Sequence, residues 1–172
     1  ATLGGTLAFK GASLSSDANI VAHSGTITLA GGNGVHVTGG SIDAGGGAIQ
    51  YGSTVVHTGG GRINLDGGSG DVNVDGAATL DVSATEADAG TIKIIATTGH
   101  AHLDGKLAGS ASGTDKLGGN FVFDVAALDA DMSFGALNAR LNDGGFSETL
   151  NFRVRNGDVA LLETDAAVTA HT

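Results

Sequence analysis

Cysteine, proline and tryptophan are all missing from this chain, and cationic residues are scarce. Without cysteine there are no disulfides, no thiolate zinc sites and no cysteine nucleophile. That absence does not fix the compartment, because large bacterial surface proteins often avoid cysteine while small secreted eukaryotic domains usually depend on it. Without proline, and with no G-X-Y period among its 31 glycines, the chain is not collagen. Eight Lys plus Arg stand against 18 Asp plus Glu, a formal charge of −10. Such an excess repels phosphate backbones and anionic headgroups, so neither nucleic acid nor a membrane surface is an expected partner. No apolar run approaches the roughly 18 residues of a helical membrane span, and no membrane insertion is expected. The start, A-T-L-G-G-T, carries neither an initiator methionine nor a signal-peptide pattern, which suggests a processed product or a piece of a longer chain.

What the chain does have is hydrophobic content, 41 % over 172 residues, enough for one domain with a real core. It is spent in short alternating runs: T-I-T-L at 26, V-H-V at 35, S-I-D-A at 41, A-I-Q-Y at 48, R-I-N-L at 62, D-V-N-V at 71 and T-I-K-I at 91. Apolar residues at every second position mark a strand with one buried face. Strand centres about seven to nine residues apart leave no room for helices between them.

Taking every third run gives three columns. Ile27, Ile49, Val72 and Ile92 form one, Ile20, Ile42 and Ile63 a second, Val35, Val56, Leu80 and Leu103 a third, each with a period near 22. Three short strands per turn predict an all-β, right-handed parallel β-helix, a three-sided solenoid of about 22 residues per coil. In that arrangement each strand pairs with its equivalent one turn away, and roughly seven turns make a rod of the order of 35 Å. Glycine pairs are expected at the corners, where φ > 0 is needed, and interior ladders have no use for proline. The competing architecture, an antiparallel sandwich or barrel, predicts no three-run register.

Composition changes near residue 118, which divides regular coils over 1–117 from a continuation over 118–172 within one domain. Five of the six phenylalanines fall between Phe121 and Phe152. The stretch S-F-G-A-L-N-A-R-L-N-D-G-G-F predicts one short helix near 133–143, with Ser133 as N-cap, Phe134, Leu137 and Leu141 as its apolar stripe and Gly144 as its stop. Strands are expected on either side, N-F-V-F-D-V before it and T-L-N-F-R-V-R then D-V-A-L-L after it. The final A-A-V-T-A-H-T reads as another rung broken off.

The glycine-punctuated G-x-I-x-L runs, together with F-G-A-L-N-A-R-L-N-D-G-G-F…F-R-V-R-N-G-D-V, resemble filamentous haemagglutinin-like bacterial surface proteins, giant adhesins exported by two-partner secretion. The resemblance implies a β-helical shaft on the cell surface or secreted, non-enzymatic, acting in adhesion, biofilm or matrix. Its implied partners are neighbouring coils or identical subunits stacked end to end, and host or matrix glycans; it implies no cofactor. The Asn-Pro-Asn motifs of the family's secretion domain cannot be present in a chain without proline, and there is no R-G-D tripeptide.

The alternative is a polysaccharide-binding or polysaccharide-cleaving β-helix. Carboxylates are available at Asp43, Asp66, Asp71, Asp75, Asp81 and Asp104, but cations in the coils are few (Lys10, Arg62, Lys93, Lys106) and Tyr51 is the single tyrosine. The column register places His36, His57, Asp81 and Asp104 in an outward ladder, where imidazoles and carboxylates offer metal ligands or a pH response. A flat ladder lacks a convergent third ligand and supporting contacts, so solvated side chains are the expectation and no metal is expected. His100 and His102 share one face of a strand. G-G-S-G-D-V-N-V at 67 misses the calcium nonapeptide by one position and does not repeat. Arg153 and Arg155 point away from Phe152 and Val154, toward surface carboxylates.

Overall fold

The computed structural model describes residues 3–170. Its fold is mostly β with parallel strands and one helix, and nine of the strands form a nearly closed, barrel-like sheet.

The chain travels in successive passes. The first contributes β1 (Thr6–Gly11), β2 (Leu14–Ser16) and β3 (Ile20–Val21); the second β4 (Thr26–Gly31), β5 (Val35–Val37) and β6 (Ser41–Asp43). A pair then follows that belongs to no pass, β7 (Ala48–Tyr51) and β8 (Thr54–His57). The third pass holds β9 (Arg62–Asp66), β10 (Val72–Val74), β11 (Thr79–Asp81) and β12 (Ala84–Thr85); the fourth β13 (Thr91–Leu103), β14 (Lys106–Ala108) and β15 (Ala111–Ser112). The chain finishes with β16 (Gly119–Leu128), α1 (Phe134–Asp143) and β17 (Phe146–Val154).

Each pass pairs in parallel with the one before. β1, β4, β9, β13, β16 and β17 make one stack; β2, β5, β10 and the second half of β13 make another; β3, β6, β11 and β14 make a third. Inward side chains lie over one another in columns: Ile27, Ile63, Ile92, Phe121, then Val35, Val72, Ala101, then Ile42, Leu80, Leu107. All of these are buried, which lets strands of two or three residues persist that would be unstable alone.

The register differs from the expected one. Ile20 does stack on Ile42, but Ile27 stacks on Ile63 and not Ile49, Ile42 stacks on Leu80 and not Ile63, and Val35 stacks on Val72 and not Val56. Successive partners of Thr6 are Thr26, Arg62, Thr91 and Asn120, steps of 20, 36, 29 and 29 residues in place of a uniform period. The step of 36 contains β7–β8, the one antiparallel pair among the described residues, which sets Ile49 opposite Val56 across a turn at Gly52, while the later steps of 29 contain no hairpin and exceed the expected coil length by themselves. Alternation with a two-residue period is common to a stacked strand and to a hairpin, so the pattern alone did not separate them. With six strands in the longest stack, five spacings span about 24 Å rather than 35 Å.

Gly34, Gly40 and Gly68 take positive φ at corners between strands, as expected, but the glycines before the first stack work differently. Gly5, Gly25, Gly61 and Gly90 precede the strands of the first stack, and none of the four has positive φ. Each carbonyl accepts the N–H of the residue after the next glycine: Thr26 from Gly5 at 2.8 Å, Arg62 from Gly25 at 2.7 Å, Thr91 from Gly61 at 2.9 Å. What Gly25, Gly61 and Gly90 supply is room, because the backbones of adjacent passes approach too closely for a β-carbon.

α1 begins and ends near its expected limits. Ser133 is extended at φ −90°, and its hydroxyl accepts the Ala136 N–H at 3.1 Å. Gly144 closes the helix, while the left-handed residue is its neighbour Gly145, at φ +77°. Phe134, Leu137 and Leu141 are buried as expected, and Phe134 meets Phe152 edge-on at 4.8 Å. Phe121, Phe123 and Phe146 replace aliphatic residues in the last passes, with Phe121 5.9 Å from each of the other two.

The expected strand at 158–162 is absent, and residues 166–170 are not a rung. Instead this segment crosses the helix: the Asn138 side chain donates to the Ala166 carbonyl at 2.8 Å and Asn142 donates to Ala167 at 2.9 Å. Residues 171 and 172, the end of the expected extra rung, lie outside the described residues. The two ends thus differ. At the near end Leu7 and Phe9 are 36 % and 45 % exposed, while Ile27 and Leu29, one pass in, are 0 % and 1 %.

Candidate functional site

Alternation in β13 turns Ala101 and Leu103 inward and His100 and His102 outward. β16 lies beside it with Leu128 next to Ala101, so the loop after β16 passes over His102. That loop is pinned by the Asp129 N–H on the Ala101 carbonyl at 3.2 Å and by its own turn, Met132 N–H to the Asp129 carbonyl at 3.0 Å.

Three carboxylates therefore converge on one imidazole. His102 Nε2 lies 3.0 Å from Asp104 Oδ2, and Nδ1 lies 3.2 Å from Asp131 Oδ1 and 3.7 Å from Asp129 Oδ2. Arg140 of α1 closes the group, donating to the Asp104 carboxylate at 2.5 Å and to its carbonyl at 2.7 Å. The hydrogen bond to Asp104 holds the His102 pKa above 6.5, against an opposing push from burial and with help from Asp131 and Asp129. Asp104 moves the other way, below the ordinary carboxylate value, first through His102 and then through Arg140. With both ring nitrogens facing carboxylates, the arrangement stabilises an imidazolium.

His102, Asp129 and Asp131 have ligand atoms within 4.8 Å of one another, the donor set among the described residues that offers a divalent cation three ligands. A cation there competes with the proton, since a metal-bound imidazole must be neutral at the ligating nitrogen. Geometry favours a charged latch: it ties the β13–β14 corner to the loop and helix that close the far end.

The expected ladder is not formed. His36 stands in register with Ser15 and Asn73, and Asn73 with His102. His57 sits in the hairpin opposite Ala48, Asp81 pairs with Asp43 and Ala108, and Asp104 follows β13. The hairpin lengthens the pass that holds it to 36 residues and removes His57 from the ladder, and the following 29-residue pass sets Ala108, not Asp104, beside Asp81.

Four of the five histidines among the described residues stand beside aspartates: His23 with Asp43, His36 with Asp75 at 2.7 Å, His100 with Asp71, and His102. Other carboxylates serve turns. Asp43 accepts the Gly45 N–H, Asp66 the Gly68 N–H, and Asp81 both the N–H and hydroxyl of Ser83. Tyr51 is exposed at the hairpin tip. Arg155 meets a carboxylate as expected, gripping Asp124 with two bonds at 2.7 and 2.8 Å; this lowers the Asp124 pKa and raises that of Arg155. Arg153 lies beside Asp124 in register.

Asp129, Asp131 and Arg140 were not singled out from the sequence. D-A-D-M before a capped helix reads as a solvated turn, and only the parallel register carries it over His102. No family model, curated protein or solved structure matches this chain.

Proposed function

We propose that the chain is a non-enzymatic shaft segment of an extracellular bacterial adhesin or surface filament, filamentous haemagglutinin-like and built as a right-handed, three-sided parallel β-helix. The observation that supports this best is the unbroken parallel pairing from β1 to β17 over columns of Ile, Leu, Val and Phe. In such a body the hydrogen bonds between passes run along the long axis, and the core is shared by every pass. Separating two passes breaks many bonds at once, which suits a spar that holds binding regions away from a cell.

Among the described residues, carboxylates bond to turns, to histidines and, in the latch, to His102 and Arg140, roles that suit a structural body. The test is localisation in the source bacterium by immunogold electron microscopy and protease shaving of intact cells. Label on surface filaments, lost on shaving, is expected; label confined to the cell interior overturns the reading.

A further inference from the structure

We infer that His102, Asp129 and Asp131 form a binding site for one zinc-class divalent cation, with His102 Nδ1 and one oxygen of each aspartate as its ligands. The charged latch is the metal-free form of this group. The site lies between β13 and the loop that joins β16 to α1, so it depends neither on the chain ends nor on the shaft reading.

The imidazole is held in one orientation. Its Nε2 bonds to Asp104 Oδ2 at 3.0 Å, and Arg140 grips the same carboxylate. A carboxylate only accepts, so Nε2 carries the proton of that bond and Nδ1 is left for its other neighbours. This carboxylate–imidazole pairing is the usual support of a metal-bound histidine. Nδ1 itself is shut off from solvent and makes no hydrogen bond, although two carboxylate oxygens stand before it. A buried ring nitrogen without a partner is costly, and a cation between the three groups supplies one.

The loop fixes the other two ligands. Asp129 Oδ1 accepts the Ala130 N–H at 2.8 Å, which leaves Oδ2 as the oxygen facing Nδ1, 3.7 Å away. The Leu103 N–H meets the Met132 sulfur at 3.4 Å, so the loop is tied to β13 on both sides of Asp131. Asp131 Oδ1 stands 3.2 Å from Nδ1, and the three ligand atoms lie within 4.8 Å of one another. Metal bonds of about 2.1 Å in a tetrahedron place neighbouring ligand atoms about 3.4 Å apart. The two nitrogen–oxygen separations bracket that value.

The donor set selects the ion. An imidazole with two carboxylates suits zinc, whereas calcium and magnesium take oxygen ligands in larger number. Two carboxylates and a neutral ring also balance the charge of one dication. The Asp131 side chain is 75 % exposed, so the fourth position opens to water. Among the described residues, His23, His36 and His100 each stand beside a single aspartate, which gives two ligands and no third. Convergence of three is what sets His102 apart.

Calorimetric titration of the full, chelator-stripped chain with zinc chloride tests this, together with long-range nitrogen–proton spectra of the histidine rings. One equivalent of zinc should bind, and an excess of calcium chloride should not displace it. The His102 Nδ1 signal should shift on zinc addition while Nε2 keeps its proton. Asp131→Asn, at an exposed position, should retain the far-ultraviolet spectrum and weaken binding at least about tenfold, the lower bound for disturbing even a supporting contact. His36→Gln should bind zinc as the wild type does. No binding by the wild-type chain, several weak equivalents in place of one, unchanged affinity in Asp131→Asn, a loss in His36→Gln, or a zinc shift centred on another ring nitrogen overturns the proposal. Each of these outcomes leaves the shaft reading standing.

Discussion

Gly61 lies directly over Gly25, so close that a β-carbon on Gly61 would strike the Gly25 carbonyl oxygen, the same oxygen that accepts the Arg62 N–H at 2.7 Å. The neighbour is backbone and already bonded, so it has little freedom to yield. Gly61→Ala should cost about 2–3 kcal/mol, the upper range for forced overpacking, read as a drop in the urea midpoint. Gly5 heads the same column at the open end, where a β-carbon would meet nothing. Gly5→Ala should leave stability unchanged or raise it slightly. Equal losses at both positions would show that the glycines serve conformation and not clearance.

The latch makes stability depend on pH, and its sign is fixed. The His102 pKa is raised in the folded state, chiefly by the bond to Asp104. Its contribution is therefore complete below the unfolded value of about 6.5 and is lost as pH rises through the higher folded value. The Asp104 pKa is lowered, so its contribution is present above the unfolded carboxylate value and is lost as pH falls through the folded one. Stability should peak between those limits and decline on the alkaline side; His102→Gln should flatten that decline in urea titrations. An unaltered alkaline limb in the variant would exclude His102 as its source.

Gly47 and Thr58, which flank the hairpin, are already joined by the Thr58 N–H on the Gly47 carbonyl at 2.9 Å. Replacing residues 48–57 with a two-residue Asn-Gly turn should leave the parallel stacks intact. An isolated two-stranded hairpin adds little by itself, so the change in unfolding free energy should stay within about 1 kcal/mol. Amide exchange at Ile27, Ile63 and Ile92 should be as slow as before. Fast exchange there would mean that the hairpin supports the column.

Asp81 accepts two bonds from Ser83, at 2.8 Å from the N–H and 2.6 Å from the hydroxyl. Asp81→Ala should cost about 1 kcal/mol through the lost turn bonds. With polyuronates and calcium, the wild-type chain should release no unsaturated product at ultraviolet wavelengths. Product formation that Asp81→Ala or Asp104→Ala abolishes would replace the shaft reading with a lyase.

The sequence by itself determined whatever depends on near neighbours. Alternation told which of Ile27, Leu65 and Val74 faces inward, because that choice follows from the two-residue period of a strand. Ser133 and the Phe134, Leu137, Leu141 stripe told where the helix lies, because capping and amphipathicity act within a few turns. His102 and Asp104 were visible as chemistry-bearing residues on the same grounds.

Tertiary structure decided what is stacked on what. Ile63 over Ile27, rather than Ile49, follows from ten residues folding back on themselves, and Leu107 over Leu80, rather than Leu103, from a later pass longer than the expected coil. Asp129 and Asp131 reach His102 only because β16 lies beside β13 in one particular register, and Arg140 reaches Asp104 only because the helix returns over that corner. Phe9 carries the same inward pattern as Leu29, yet one is exposed and the other buried. The physical reason is common to all three: burial and convergence depend on the next layer of backbone, which hydrogen bonds between distant segments place and local pattern does not encode.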